Sequence, residues 1–149
     1  MGLNVIAPGI QQQIISKRSS SPLTTGTLWT FTGGIFLIFV SGIIRTAIQA
    51  QTTNTKISAK CDSLSAVDLC ANTDLNAAAV GTIVHLPSTF SNPMDTHTNG
   101  VSPNAISPIF DPMICTTSGV VTVTYGAAST GVIDWYLCWQ PLVPGATVS

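Results

Sequence analysis

The stretch LWTFTGGIFLIFVSGII, residues 28–44, carries no charge and consists largely of Leu, Ile, Val and Phe. It lies within a longer uncharged run that extends from Ser19 to Ile44. At about 1.5 Å per residue, a helix over residues 28–44 spans about 25 Å, and extension to Leu23 and Ile48 covers the ~30 Å hydrocarbon core of a bilayer. The sequence therefore predicts a single transmembrane α-helix within residues 23–48.

Residues near both ends of this run suit a membrane span. Trp29 lies where an indole favours the interface, and the long side chain of Arg45 can reach the headgroups at the other end. Small residues recur at helical spacing and are candidates for close packing against a second helix, although such residues are common in membrane helices: Gly33, Gly34, Ser41 and Gly42. The alternative is a cleavable signal peptide that ends near Ala50.

The charges are divided between the two parts of the chain. All five basic residues precede Cys61, all six acidic residues are Asp and follow it, and charged residues make up 7% of the sequence. Soluble proteins carry about 25% charged residues, so much of this surface is expected to face lipid or protein neighbours. Only Lys17 and Arg18 are adjacent cations, so specific nucleic-acid binding is not expected. The expected partners are the lipid bilayer and neighbouring protein subunits.

The segments around the predicted helix complete the domain organisation. Residues 1–22 are expected to form an N-terminal tail or an interfacial segment, and residues 49–60 a linker. Residues 61–149 are expected to form a small, mainly β domain with a sandwich-like architecture. Lys and Arg flank the span on both sides, so the positive-inside rule does not decide its orientation.

All four cysteines follow the predicted span, namely Cys61, Cys70, Cys115 and Cys138. An even count in a small domain predicts two disulfides and an oxidising compartment, which places this domain on the non-cytosolic or outer side of the membrane. Three connectivities are possible, and the local pairs Cys61–Cys70 and Cys115–Cys138 are favoured. The alternative is four buried free thiols.

The C-terminal domain shows β-strand patterns. Residues 119–125 (GVVTVTY) and 131–140 (GVIDWYLCWQ) predict two strands, joined as a hairpin by residues 126–130. In the second strand, Ile133, Trp135, Leu137 and Trp139 should face the core, and Asp134, Tyr136, Cys138 and Gln140 the other side. Residues 80–86 predict a third strand, residues 63–79 one short helix, and the proline-rich residues 88–112 a long loop.

No residue pattern predicts catalysis, a metal site or a cofactor. Asp95 and His97 lie two apart, but no nucleophile motif accompanies them, and the cysteine spacing does not match a zinc site. His85 lies within an apolar strand and is interpreted as a hydrogen-bonded core residue. The sequence therefore predicts a protein that is not an enzyme and that has no small-molecule substrate.

These patterns lead to three functional hypotheses. The leading one is a membrane-anchored structural protein of a large assembly, such as a minor capsid or membrane protein of a membrane-containing virion. The second is a single-span accessory subunit of a bioenergetic or secretory membrane complex. The third is a receptor-like binding module that uses the loop at residues 88–112.

Overall fold

The computed structural model describes residues 11–98, 100 and 113–149 and contains eleven β-strands and no helix among them. In chain order these are β1 (Gln13–Arg18), β2 (Gly26–Thr32), β3 (Ile35–Thr46), β4 (Lys56–Cys61), β5 (Val67–Asp68), β6 (Ile83–His85), β7 (Asp95–His97), β8 (Met113–Cys115), β9 (Gly119–Thr124), β10 (Val132–Pro141) and β11 (Thr147–Val148).

The strands form two antiparallel sheets. The first sheet has the order β1-β10-β3-β6-β7, and β8 pairs with the other end of β3, beside Ile35–Leu37. The second sheet has the order β11-β2-β9-β4-β5. Each sheet contributes one apolar face to a shared core, as in other β-sandwiches. The β-sandwich predicted for the C-terminal part of the chain therefore involves nearly the whole described chain.

The strand pairing is that of a rolled ribbon. β1 pairs with β10, β2 with β9, β3 with β6, and β4 with β5, so the chain folds back on itself around the β4–β5 turn. These four pairs alternate between the two sheets, and the pairs β10–β3 and β9–β4 complete the sheets. The eight strands of these four pairs, arranged in two sheets, have the connectivity of a jelly roll. The short strands β7, β8 and β11 are additions to it.

The apolar run at residues 28–44 forms two strands in different sheets, and the transmembrane helix predicted there is wrong. β2 belongs to the second sheet and β3 to the first, and Gly33 and Gly34 make the corner between them. Gly33 has φ +80°, and a Cβ at this position would lie 3.2 Å from the backbone of Ala146. The described residues contain no helix long and apolar enough to cross a membrane, so the predicted single-pass localisation is also wrong.

β3 explains why this run is so apolar. It is the central strand of the first sheet, and its core face buries Ile35, Leu37, Val40 and Ile44. On the opposite face Phe36, Phe39 and Ile43 are half-buried, and a bulge against β10 shifts the alternation near residues 38 and 39. A strand that packs apolar side chains on both faces reads as a continuous hydrophobic run, which sequence patterns do not separate from a helix.

The core lies between the two sheets. Its largest fully buried side chains include Trp29 and Phe31 from the second sheet and Trp135 and Leu137 from the first. The predicted core face of β10 is confirmed, since Ile133, Trp135, Leu137 and Trp139 are each at most 4% exposed. Between the sheets, the Trp135 indole N–H donates to the hydroxyl of Tyr125 across 3.3 Å.

Two local predictions are wrong. β9 and β10 lie in different sheets, so residues 126–130 connect the sheets instead of closing a hairpin. Residues 63–79 hold the short strand β5 and turns in place of the predicted helix. In both cases tertiary pairing decides the structure: β9 and β10 pair with β2 and β3 from the segment assigned to the membrane, and β5 pairs with β4 from the predicted linker.

The predicted disulfides are also wrong, since all four thiols are free. Cys115 lies on β8 and is fully buried, opposite the core residue Ile35, whereas Cys138 on β10 points away from the core, opposite Phe39. β3 separates these two strands, so the Cβ atoms cannot approach bonding distance.

The local pair at Cys61 fails for a similar reason. The Cys70 thiol accepts a hydrogen bond from the backbone N–H of Ile57 across 3.4 Å, which places Cys70 beside the first half of β4. Cys61 is the last residue of the same strand. Four residues of extended chain separate the two positions along β4 by about 13 Å, which is too far for a disulfide.

Candidate interaction surface

The first sheet presents a face that points away from the core, and we call this its outer face. It is formed by alternate residues of the strands and is identified by the strand register. Its side chains are Ile14, Ser16 and Arg18 from β1, Asp134, Tyr136, Cys138 and Gln140 from β10, Phe36, Phe39, Ser41, Ile43 and Arg45 from β3, Ile83 and His85 from β6, Asp95 and His97 from β7, and Ile114 from β8.

One end of the outer face carries an ion-pair network centred on Asp134. Arg18 donates from Nε and Nη2 to both carboxylate oxygens, at 2.7 and 3.0 Å, and Arg45 donates from Nε to Oδ2 at 2.8 Å. Arg45 also donates to the hydroxyl of Tyr136 at 3.2 Å. The network therefore joins β1, β10 and β3 at one end of the sheet.

The two guanidinium groups change the titration of the carboxyl group between them. The hydrogen bond from Arg18 has the largest effect and, together with the hydrogen bond from Arg45, lowers the pKa of Asp134 to about 2, although burial acts in the opposite direction. The Asp134 side chain is 12% exposed, whereas the two arginine side chains are 68% and 47% exposed. The hydrogen bonds to Asp134 likewise raise the pKa of both arginines. One negative charge thus orients two cations whose outer edges face solvent.

A histidine pair occupies the opposite side of the face, where β6 meets the edge strand β7. His85 is buried, and its Nε2 lies 3.1 Å from Nε2 of His97. The ring planes are 11° apart and the centroids 5.2 Å apart, a separation close to the N–N distance plus two ring radii. The rings therefore meet end to end through a hydrogen bond.

The hydrogen-bond partners assign the tautomers of the neutral pair. Nδ1 of His85 lies 3.0 Å from the carbonyl oxygen of Leu86, which can only accept, so Nδ1 carries the hydrogen. Nε2 of His85 then accepts from the Nε2–H of His97. A Ser–His–Asp arrangement would need a free His85 nitrogen facing Ser41, and both nitrogens are already engaged. Asp95 is also 3.9 Å from Nδ1 of His85, beyond hydrogen-bond distance.

An apolar strip runs along β3 on this face, with Ser41 between Phe39 and Ile43. Phe36, Phe39 and Ile43 from β3 are half-buried along the middle of the sheet. At its borders Ile14 and Ile114 are 67% and 52% exposed, the former beside Cys138 on β10 and the latter beside Phe36 on β3. Contiguous apolar surface rimmed by charged groups is typical of a protein contact surface.

Three of the four thiols are poor candidates for chemistry. Burial raises the pKa of Cys70 and Cys138, and burial followed by the neighbouring thiol of Cys61 raises the pKa of Cys115 to about 12. The reactive form of cysteine is the thiolate, so these groups are held in their unreactive form. Among residues 11–98, 100 and 113–149, no group of three or more His, Cys, Asp or Glu side chains is placed to hold a metal ion.

The residues singled out for a membrane role have other contacts. Trp29 is 1% exposed in the core, and Arg45 binds Asp134. Gly33 and Gly34 form the corner before β3, Gly42 packs under Trp135, and Ser41 lies on the outer face beside His85. In the predicted loop at residues 88–112, residues 88–98 include the short strand β7, and residues 99 and 101–112 lie outside the described residues.

Most of the outer face was not predicted from the sequence. Asp134 and Tyr136 were placed on the noncore side of β10, and that placement is confirmed by the register. Arg18, Phe36, Phe39 and Ile43 were not recognised as surface residues, because the run that contains the last three was read as a helix.

Comparison with known proteins does not add a relative. No protein-family model, no curated protein and no solved structure matches this chain. The jelly-roll assignment therefore rests on the strand connectivity alone.

Proposed function

We propose that this chain is a non-enzymatic structural subunit that packs against neighbouring subunits in a large, shell-like assembly. Jelly rolls occur in viral capsid proteins, in lectins and in cupins, so the connectivity alone does not select a function. The observation that supports a structural role is the apolar strip on the outer face, where Phe36, Phe39 and Ile43 leave a central strand apolar on both sides.

The composition agrees with this proposal. Charged residues make up 7% of the chain, and the two arginines of the outer face are tied to one aspartate. A protein that stays monomeric at high concentration usually keeps a mixed and strongly charged surface. A chain with few charges and an apolar strip is better suited to a surface that neighbours cover.

A capsid shell is the setting that we favour. In this setting the chain is a structural subunit of a virion without a membrane anchor, because the segment predicted to be the anchor forms β2 and β3. The hypothesis of a single-span accessory subunit depended on the same segment and is not pursued.

The test is self-association of the full chain, measured by analytical ultracentrifugation and electron microscopy over a range of concentrations. We expect assemblies much larger than a dimer. Ile114→Asp places a charge within the apolar strip and should shift the population towards small species, since burial of a charge in an interface is costly. Because Ile114 is already half-exposed, the change should leave folding intact.

Leu64→Asp is the matched control. Leu64 is 63% exposed and follows β4 in the second sheet, so it tests the added charge at a similar exposure away from the outer face. We expect this variant to assemble like the unmodified chain. A chain that remains monomeric at every concentration, or variants that assemble equally, would contradict the proposal.

A further inference from the structure

β1 lies at an open edge of the first sheet, and this edge suggests a specific contact between two subunits. β1 pairs only with β10 among the described residues, and five of its six residues are exposed. An edge strand has unpaired backbone groups that can add a further strand. We propose that this edge pairs antiparallel with β1 of a second copy of the chain, joining two first sheets across a twofold axis.

The register shows which backbone groups of β1 are free. Ser19 donates its N–H to the carbonyl of Ile133 at 2.8 Å and is the residue opposite it, so this is a hydrogen-bonded pair of the β1–β10 ladder. Hydrogen-bonded pairs alternate along an antiparallel ladder, which makes the odd-numbered residues of β1 the ones bonded to β10. The N–H and C=O groups of Ile14, Ser16 and Arg18 therefore point to the open edge.

This alternation limits the possible pairing between two copies. Even-numbered residues must lie opposite even-numbered residues, because only they present backbone groups to the edge. A twofold axis at Ile15 satisfies this condition: it places Ile14 opposite Ser16 of the second copy and Arg18 opposite Gln12. Four residues from each copy, numbers 12, 14, 16 and 18, then take part in backbone hydrogen bonds.

The charges on β1 do not oppose this register. Lys17 lies opposite Gln13 and Arg18 opposite Gln12, so cations do not face cations. Within each copy the Lys17 ammonium donates to the carbonyl of Thr27 at 3.2 Å, and Arg18 is bound to Asp134. Charged side chains often protect edge strands from pairing, but here both are held back on their own subunit.

The side chains at the axis support the pairing. Ile15 points to the core side, is half-buried and packs against the core, and in the paired sheet it would contact Ile15 of the second copy. Ile14 on the outer face would lose part of its 67% exposure beside Ser16 of the second copy. The contact thus extends the apolar strip across the axis. This inference rests on the proposed structural role and names one contact within it.

The test compares Ser16→Pro with Ser16→Ala. Proline at position 16 removes an N–H that points to the open edge and leaves the hydrogen bonds to β10 intact. Proline is tolerated at such positions of an edge strand. We expect Ser16→Pro to weaken dimerisation at least about tenfold in sedimentation equilibrium, because main-chain hydrogen bonds dominate strand addition. Ser16→Ala should dimerise like the unmodified chain, and circular dichroism should show both variants folded.

A cross-linking experiment tests the register without relying on proline. Ile15→Cys places two thiols opposite each other at the axis, where Cβ atoms of facing residues lie about 5 Å apart. Mild oxidation should give a covalent dimer, whereas Lys17→Cys, which faces Gln13 in this register, should give much less. The unmodified chain under the same oxidation measures the contribution of its native thiols.

The outcomes separate this contact from the proposed function. Large assemblies that form equally well with Ser16→Pro, together with no Ile15→Cys dimer, would overturn the β1 contact and leave the structural role standing. A chain that does not associate at all would overturn both.

Discussion

Asp134 links three neighbouring strands at one end of the first sheet. Its carboxylate accepts hydrogen bonds from Arg18 and Arg45, which belong to strands on either side of β10. Because these bonds favour the charged form, the pKa of Asp134 falls to about 2. A group with a lowered folded-state pKa stabilises the fold above its unfolded pKa, near 3.9, and loses this contribution as the pH falls towards the folded value.

We therefore predict a pH-dependent effect of Asp134→Asn. The variant should be less stable than the unmodified chain at pH 7, and the difference should shrink as the pH falls from about 4 to about 2. The measurement is the free energy of unfolding in urea as a function of pH. Asp68→Asn is the control, since Asp68 pairs with Lys56 at an exposed site and should show a smaller difference. A deficit of Asp134→Asn that is constant with pH would contradict the explanation.

Gly42 shows how closely the core residues of the first sheet are packed. A Cβ at this position would lie 2.9 Å from both Ile133 and the Trp135 ring. We predict that Gly42→Ala lowers the free energy of unfolding by about 1–3 kcal/mol, because the surrounding side chains are fully buried and must shift.

Gly26→Ala provides the comparison for this substitution. Gly26 begins β2, and a Cβ there would have no heavy atom within 4 Å. The change should be neutral or stabilise by about 0.4–1 kcal/mol through the unfolded state. Urea unfolding of both variants checks the prediction, and equal effects at the two glycines would contradict it.

At the level of elements, the hydrogen bond between His85 and His97 links the short edge strand β7 to β6. We predict that His97→Leu destabilises the fold by about 1–3 kcal/mol, because the buried Nε2 of His85 would lose its donor. Thr96→Val, an exposed change on the same strand, should have little effect. Hydrogen exchange at β6 and β7 measures the loss directly, and unchanged exchange in His97→Leu would count against a fastening role.

The strands also show which features of the fold sequence patterns predict and which they do not. Alternation in β10 predicted its core face, because this strand is apolar on one side and mixed on the other. The same reasoning failed for β3, which is apolar on both sides and therefore has no period-two signal. Pairing was not predictable either, since β2 and β3 supply partners from a segment whose hydropathy matches a membrane span. The outer face, which depends on that pairing, could only be recognised from the structure.

For the molecule as a whole, the two sheets are held together by a shared core and not by disulfide bonds. The four thiols are free, so we predict that a reductant leaves the Tm unchanged and that thiol titration in denaturant finds four groups per chain before reduction. Two disulfides would instead contribute about 2–4 kcal/mol each, and their reduction would lower the Tm. Differential scanning calorimetry with and without reductant distinguishes the two cases.

The ribbon connectivity also determines the order in which strands can pair during synthesis. β3 leaves the ribosome early, whereas β10, its longest partner, is completed only with residue 141. Until then the 12-residue apolar strand β3 has no partner along one side, and long-range pairing of this kind is slow. We expect the growing chain to engage chaperones or membrane-targeting factors at β3 until β10 has been synthesised and the first sheet can close.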